Sequence, residues 1–155
     1  MEEVSHNGMR SFTDLPPSLQ HHRFKFGTLY FGEGLGIRRD EDEARHQATL
    51  RNFEFYGAPL AGLVCMSKGL TPPDVMAVGM WLQTLMLSLR DRGVDTCPQA
   101  VIADYVDVLR RELDIHEDLE VMCGLCIGYA DKDAAENRMR LGRDAIDCNI
   151  TFMSE

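Results

Sequence analysis

The sequence predicts one domain that mixes α-helices with β-strands. Three observations predict it: a helix with clear start and stop signals at residues 71–93, two apolar β-prone runs at 60–67 and 120–128, and a length of 155 residues, which suits one core. The composition is that of a globular protein, 45% hydrophobic and 26% charged, without a biased tract. A formal net charge of −9 excludes a broad nucleic-acid or anionic-membrane surface, because binding phosphates needs clustered Lys and Arg. A local group of basic residues can still hold one small anion. No apolar run is long enough to cross a bilayer, and "MEEVSHNGMRSFTD" lacks the basic and apolar regions of a signal peptide, so the expected location is cytoplasmic. Five cysteines in a chain of this size fit a reducing compartment.

The elements follow in order. Residues 1–22, with Gly8, Pro16 and Pro17, read as an extended N-terminal arm, and residues 23–155 as the folded domain. Gly32, Gly34 and Gly36 lack the preceding strand and following Lys-Ser/Thr of a phosphate loop, so they read as a turn. Asp40 and Glu43 form a capping-box pattern ahead of a helix over 41–52. Gly57 and Pro59 end that region, and "LAGLVCMS" is a short buried strand.

Thr71, Pro72, Pro73 and Asp74 start the next helix, and Gly93 stops it behind Arg90 and Arg92. Its apolar residues, among them Val75, Met76, Val78, Met80, Trp81, Leu82 and Leu85, surround most of the axis. A chain this short cannot wrap a helix all round, so a homodimer is expected. The stretch "RGVDTCPQAVIADY", residues 92–105, reads as a connection into a second helix that starts on Cys97-Pro98-Gln99 and carries Ile102, Tyr105, Val106, Leu109 and Leu113 on one face. The run around 120–128 is a strand, on which Cys123 and Cys126 point to opposite faces and so share neither a metal nor a disulfide. The tail places Arg138, Arg140 and Arg143 in a polar loop that wraps over the rest. The histidines at 6, 21, 22, 46 and 116 are scattered, no triad is evident, and neither catalytic residues nor metal ligands are assigned.

Several segments, in this order, resemble one family: "YFGEGLGI", "RNFEFYGAP", the Pro-led helix with "GMWLQTLMLSLRDRGVDTCPQ", the strand "VMCGLCIGYAD", and "AAENRMRLGR". Together they are similar to the FMN-dependent nitroreductases over roughly residues 23–150. The resemblance implies an α+β sandwich of central sheet and helices, dimeric, with FMN at the interface. It implies hydride transfer from NAD(P)H, through the flavin, to a small nitro, quinone or enone-like acceptor. It also implies that Cys97, Pro98 and Gln99 pass close to the flavin ring. There a helix N-terminus would face the negative charge of reduced flavin, Pro98 would take an early helical position, and the Gln99 amide would reach the ring edge. Arg140 and Arg143, with Arg138 behind them, match the family's basic residues for the FMN phosphate. The family's Arg-rich R-R-S-x-R segment and its S-x-x-N-x-Q-P-W stretch have no counterpart here beyond the faint "MRSFTD". The expectation is therefore a fold incomplete at its N-terminus, without the usual flavin-binding segment. That leaves two alternatives beside the oxidoreductase: a flavin-free cyclase or isomerase using the pocket, and a non-catalytic partner protein.

Overall fold

The computed structural model describes residues 15–153. Pro17–Leu19 form a 3-10 turn, closed by Leu19 N–H donating to Pro16 O at 2.8 Å, and lead into α1, Gln20–Gly27, and a π-helical stretch, Thr28–Gly34. Residues 17–22 are thus helical where an extended arm was expected, because Pro17 presets the φ of a first helical residue. The helix runs through the expected boundary at 22/23, and residues 1–14 of the arm lie outside the described residues. The glycine cluster ends the π-helical stretch, with a true turn only at Gly36, whose φ is +67°.

The second helix, α2, spans Asp42–Leu50 and is entered through Glu41, whose carboxylate accepts the Arg38 N–H at 2.6 Å. The expected capping box does not form, since Asp40 is drawn into an ion pair with Arg38 and no side chain caps the helix. After a 3-10 turn at Phe55–Gly57 comes β1, Leu60–Ser67. The long helix α3 spans Pro72–Asp91 with Thr71 and Asp74 making both bonds of a capping box, and Gly93 follows it at φ +77°.

The stretch read as a connection ending in a helix start is instead a strand, β2, Asp95–Gln99. A proline is tolerated there because β2 lies at the sheet edge, where a missing N–H need not break a ladder bond. The helical residues start one turn later, as a 3-10 segment at Ala100–Tyr105 followed by α4, Val106–Leu113. The central strand is β3, Leu119–Gly128. It pairs antiparallel with both neighbours in the order β1-β3-β2, with Leu60 opposite Ile127 and Cys97 opposite Cys126, and a bulge between Val64 and Cys65. Among the described residues, the tail holds a short α5, Ala135–Arg138, and a 3-10 turn at Ile146–Cys148.

The architecture is α+β. One sheet face packs Val64, Cys123 and Leu125 against Val78, Leu82 and Leu85 of α3. On the other, Ile102 and Gln99 crowd Gly124, where an added Cβ would come within 3.0 Å of the Ile102 side chain. Cys123 and Cys126 therefore do serve opposite faces. One side of α3 is covered by this chain, with Val78, Leu82, Leu85, Met86 and Leu89 partly buried, while Met76, Met80, Trp81 and Leu87 remain more than half exposed.

Candidate functional site

A cleft of about 1940 Å³ opens on the sheet face away from α3. Its floor is β2 with Ala100 and Val101; one wall is α1, the π-helical stretch and α2; the rim includes the turn at 55–59 and the loop after β3. Its size and open shape exceed what one small ligand fills, so it has room for a planar cofactor and a second small molecule.

The floor is held by Gln99, only 3% exposed. Its Nε2 donates to Asn52 O at 2.9 Å and approaches Asn52 Oδ1 at 3.3 Å, while its Oε1 accepts from the Cys126 thiol at 3.0 Å. The amide expected to reach a ring edge is thus committed at both ends, and Gln99 acts as a tie between β2, β3 and the end of α2. Cys97 and Pro98 are exposed on the cleft side, as expected, though they lie on an edge strand and not at a helix N-terminus. Burial in the concave floor raises the Cys97 thiol pKa, and burial together with Cys97 pushes Cys126 up to about 11, so both stay protonated at neutral pH.

The turn beside the floor is unusual. Phe55, Tyr56 and Gly57 all have positive φ, at 48°, 53° and 72°, and only the last is glycine. This brings the Tyr56 hydroxyl to 3.4 Å from that of Tyr30, joining the rim to the wall. Burial, and after it the Tyr30 bond, raises the Tyr56 phenol well above its ordinary pKa, so its Oη keeps its proton.

The structure does not bring Arg140 and Arg143 to this cleft. Their guanidinium groups donate to nearby carbonyls of the tail, Asn137 and Met139 for one, Leu141 and Gly142 for the other, because irregular chain leaves those oxygens unpaired. Arg138 likewise does not line it. The cations lining it are five that the sequence reading passed over: Arg23, Arg38, Arg39, Arg45 and Arg51. Arg39 and Arg45 stack over Phe24 and Phe31, with guanidinium carbons 4.9 and 3.9 Å from the ring centroids. The available signal was the Arg-Arg pair at 38–39 and the basic-aromatic mixture before it. The histidines are also less scattered than their positions suggest: His21 and His22 meet Asp144, all exposed, with ligand-type atoms within 4.8 Å of one another. The chemistry of the cleft is that of a flat, partly apolar slot with an excess of cations.

Comparisons with known proteins agree with this description. The family model described as "Nitroreductase family" matches residues 20–129, which contain nearly every element lining the cleft. A 4-nitrobenzoate reductase of Pseudomonas putida is 33% identical over 140 residues, covering 90% of this chain and 61% of that protein. Nitroreductase NfnB of Mycolicibacterium smegmatis is 34% identical over 134 residues, covering 86% and 56%. The chain thus spans about three-fifths of the length of the curated relatives it matches. Among solved structures, the FMN and NADPH-dependent nitroreductase NfnB from a Sphigopyxis strain superposes with a TM-score of 0.85 at 33% identity, over 91% of this chain and 63% of that one. The FMN-dependent NfnB from Mycobacterium smegmatis in complex with NADPH gives 0.87 at 29% identity, over 99% and 68%.

Proposed function

Since the chain belongs to the nitroreductase family, we propose that it is an FMN-dependent oxidoreductase, taking hydride from NADH or NADPH and passing it to a small nitro, quinone or enone-like acceptor. The observation that carries this reading is the cleft itself: a slot floored by an edge strand, walled by aromatic side chains and edged by five arginines, inside the segment the family model matches. The residues fit the cofactor. Thr96, Cys97 and Pro98 offer the flat floor for a ring, and the arginines supply the cations a phosphate needs. When bound, FMN supplies the hydride chemistry, which explains why the chain needs no triad.

What the protein contributes is position. Gln99 fixes the floor, Phe26, Tyr30 and Phe31 exclude water from the wall, and Tyr56, whose Oη keeps its proton, shares a hydrogen bond with the Tyr30 hydroxyl. The exposed face of α3, with Met76, Met80, Trp81 and Leu87, is the surface on which a homodimer would form. A cytoplasmic location is consistent with five free cysteines and with the absence, among the described residues, of a helix long and apolar enough to cross a membrane.

The test is an absorbance spectrum of the protein after incubation with FMN and desalting, with light scattering on the same sample. A retained flavin band that bleaches under NADH or NADPH is expected, in a particle of twice the chain mass. A colourless protein overturns the flavin reading, and a stable monomer overturns the dimer.

A further inference from the structure

This acidic chain places five of its 16 Lys and Arg side chains around one cleft, more than the phosphate of a single flavin requires. They are not equivalent. Arg38 is paired with Asp40, and Arg51 with Glu136 at 3.3 Å. Arg45 has no carboxylate within ion-pair reach among the described residues. Its guanidinium lies 3.9 Å over the Phe31 ring instead, and the residue is half-buried. Stacking fixes the plane of the guanidinium and leaves its N–H edges for a planar, two-oxygen anion.

Its position in the cleft also has a scale. Arg45, Thr49 and Asn52 recur at i, i+4, i+7 and all line the cleft, with Thr49 Oγ1 donating to Arg45 O at 2.9 Å. Asn52 sits at the floor, where its carbonyl holds Gln99. Two helical turns separate the positions, roughly 10 Å. The same cleft has an aromatic wall: Phe26 stacks on Tyr30 at 5.6 Å, and Tyr30 meets Phe31 edge to face at 5.0 Å.

We propose that Arg45 recognises the acceptor, binding the carboxylate of an aromatic acid whose ring lies along the Phe26–Tyr30–Phe31 wall with its reducible end toward the β2 floor. The assignment of the reducible end rests on the flavin reading; the anion site does not. The chemistry is a carboxylate on an aromatic ring, and a cofactor phosphate is the competing source of the same charge.

The experiment is calorimetric binding of benzoate and of benzamide, equal in shape and differing in charge, to the purified protein and to Arg45→Gln and Arg45→Lys, with circular dichroism confirming that each is folded. FMN retention after desalting and NADPH affinity are read on the same samples. Benzoate should bind the unaltered protein at least about tenfold more tightly than benzamide, the preference expected of one charge-assisted contact. That preference should vanish in Arg45→Gln and survive in part in Arg45→Lys. Equal binding of the two probes, or a preference that persists in Arg45→Gln, overturns the proposal. If the variant loses FMN or NADPH while the benzoate-to-benzamide ratio holds, the anion is a cofactor phosphate and the proposal falls. If the preference behaves as expected in a protein that retains no FMN, the anion site stands and the flavin reading falls.

Discussion

Replacing Gln99 should cost stability in two separable parts. The side chain is 3% exposed and makes one well-formed amide bond, Nε2 to Asn52 O at 2.9 Å, a longer one to Asn52 Oδ1 at 3.3 Å, and a bond accepted from the Cys126 thiol. Asn52 O also accepts from the Phe55 N–H at 3.1 Å, so losing the amide does not leave that carbonyl orphaned. Gln99→Met keeps the volume and removes the polar contacts. The expected cost is about 1–2 kcal/mol, one neutral hydrogen bond plus a weak one. Gln99→Ala adds an unfilled space between Ile102, Gly124 and Cys126, for a total of about 2–4 kcal/mol. Urea unfolding at an unchanged m-value reads both numbers, and the Met variant should lower Tm by roughly 2–8 °C. A Met variant within about 0.5 kcal/mol of the unaltered protein would refute the reasoning, because the amide would then be neither desolvated nor holding anything.

Three further outcomes follow from backbone space and from charge. Gly128→Ala should destabilise by about 1–3 kcal/mol, since its Cβ would stand 2.7 Å from the rigid Pro59 ring. Gly34→Ala meets the flexible Met139 tip at the same distance and should cost less, a difference that parallel urea curves will show. Gly93→Ala should cost about 1 kcal/mol although nothing lies within 4 Å of its Cβ, because at φ +77° the penalty is in the backbone; a neutral result by thermal melting counts against the cap at the end of α3. In acid, the Thr71 hydroxyl and N–H hold the Asp74 carboxyl below its ordinary pKa, and the Ala130 N–H, with Arg90, does the same for Asp95. Both groups bind a proton less readily when folded, so their stabilisation is present above the ordinary carboxylate range and is lost as pH falls through the lowered values. Asp74→Asn and Asp95→Asn should therefore each flatten the fall of stability between neutral pH and about pH 3, measured by urea midpoints across the range.

What the sequence showed depended on how local each determinant is. The capping box of α3 lies within four residues, and the element came out where Thr71 and Gly93 placed it. The run that became β3 is apolar enough to need burial whatever surrounds it, whereas β1, expected to be buried, is covered only over its second half, with Leu60, Ala61 and Gly62 exposed. The segment Asp95–Gln99 has no such signature: its strand character comes from pairing with Gly124–Gly128, far along the chain, and Pro98 argues locally for a helix start. The candidate site divides the same way. Cys97 and Pro98, which line the cleft, stood out in the sequence because they sit in a distinctive short motif. Arg45 gives no local signal, because its place over Phe31 and along the cleft arises only in the fold.

The turn at 55–57 is where the rim of the cleft is joined to its wall, and it is held against its own preference. Two consecutive non-glycine residues in the left-handed region cost about 1–2 kcal/mol each. Local bonds offset part of this, with Tyr56 N–H donating to Arg51 O at 3.1 Å and Gly57 N–H to Glu54 O at 3.0 Å. Contacts from outside the turn add to this: the Tyr30 hydroxyl on Tyr56, Arg51 over the Tyr56 ring, and Gln99 on Asn52, three residues before Phe55, the Asn52 carbonyl also accepting the Phe55 N–H. The sheet edge is thus one of the supports of the conformation that points Tyr56 at Tyr30. Loosening that tie in Gln99→Met should free the turn before it unfolds the domain, so an aromatic probe bound along Phe26, Tyr30 and Phe31 should weaken in that variant even where the far-ultraviolet spectrum is unchanged. Unchanged benzamide affinity in Gln99→Met would mean that the turn holds itself and that the sheet edge and the aromatic wall are independent.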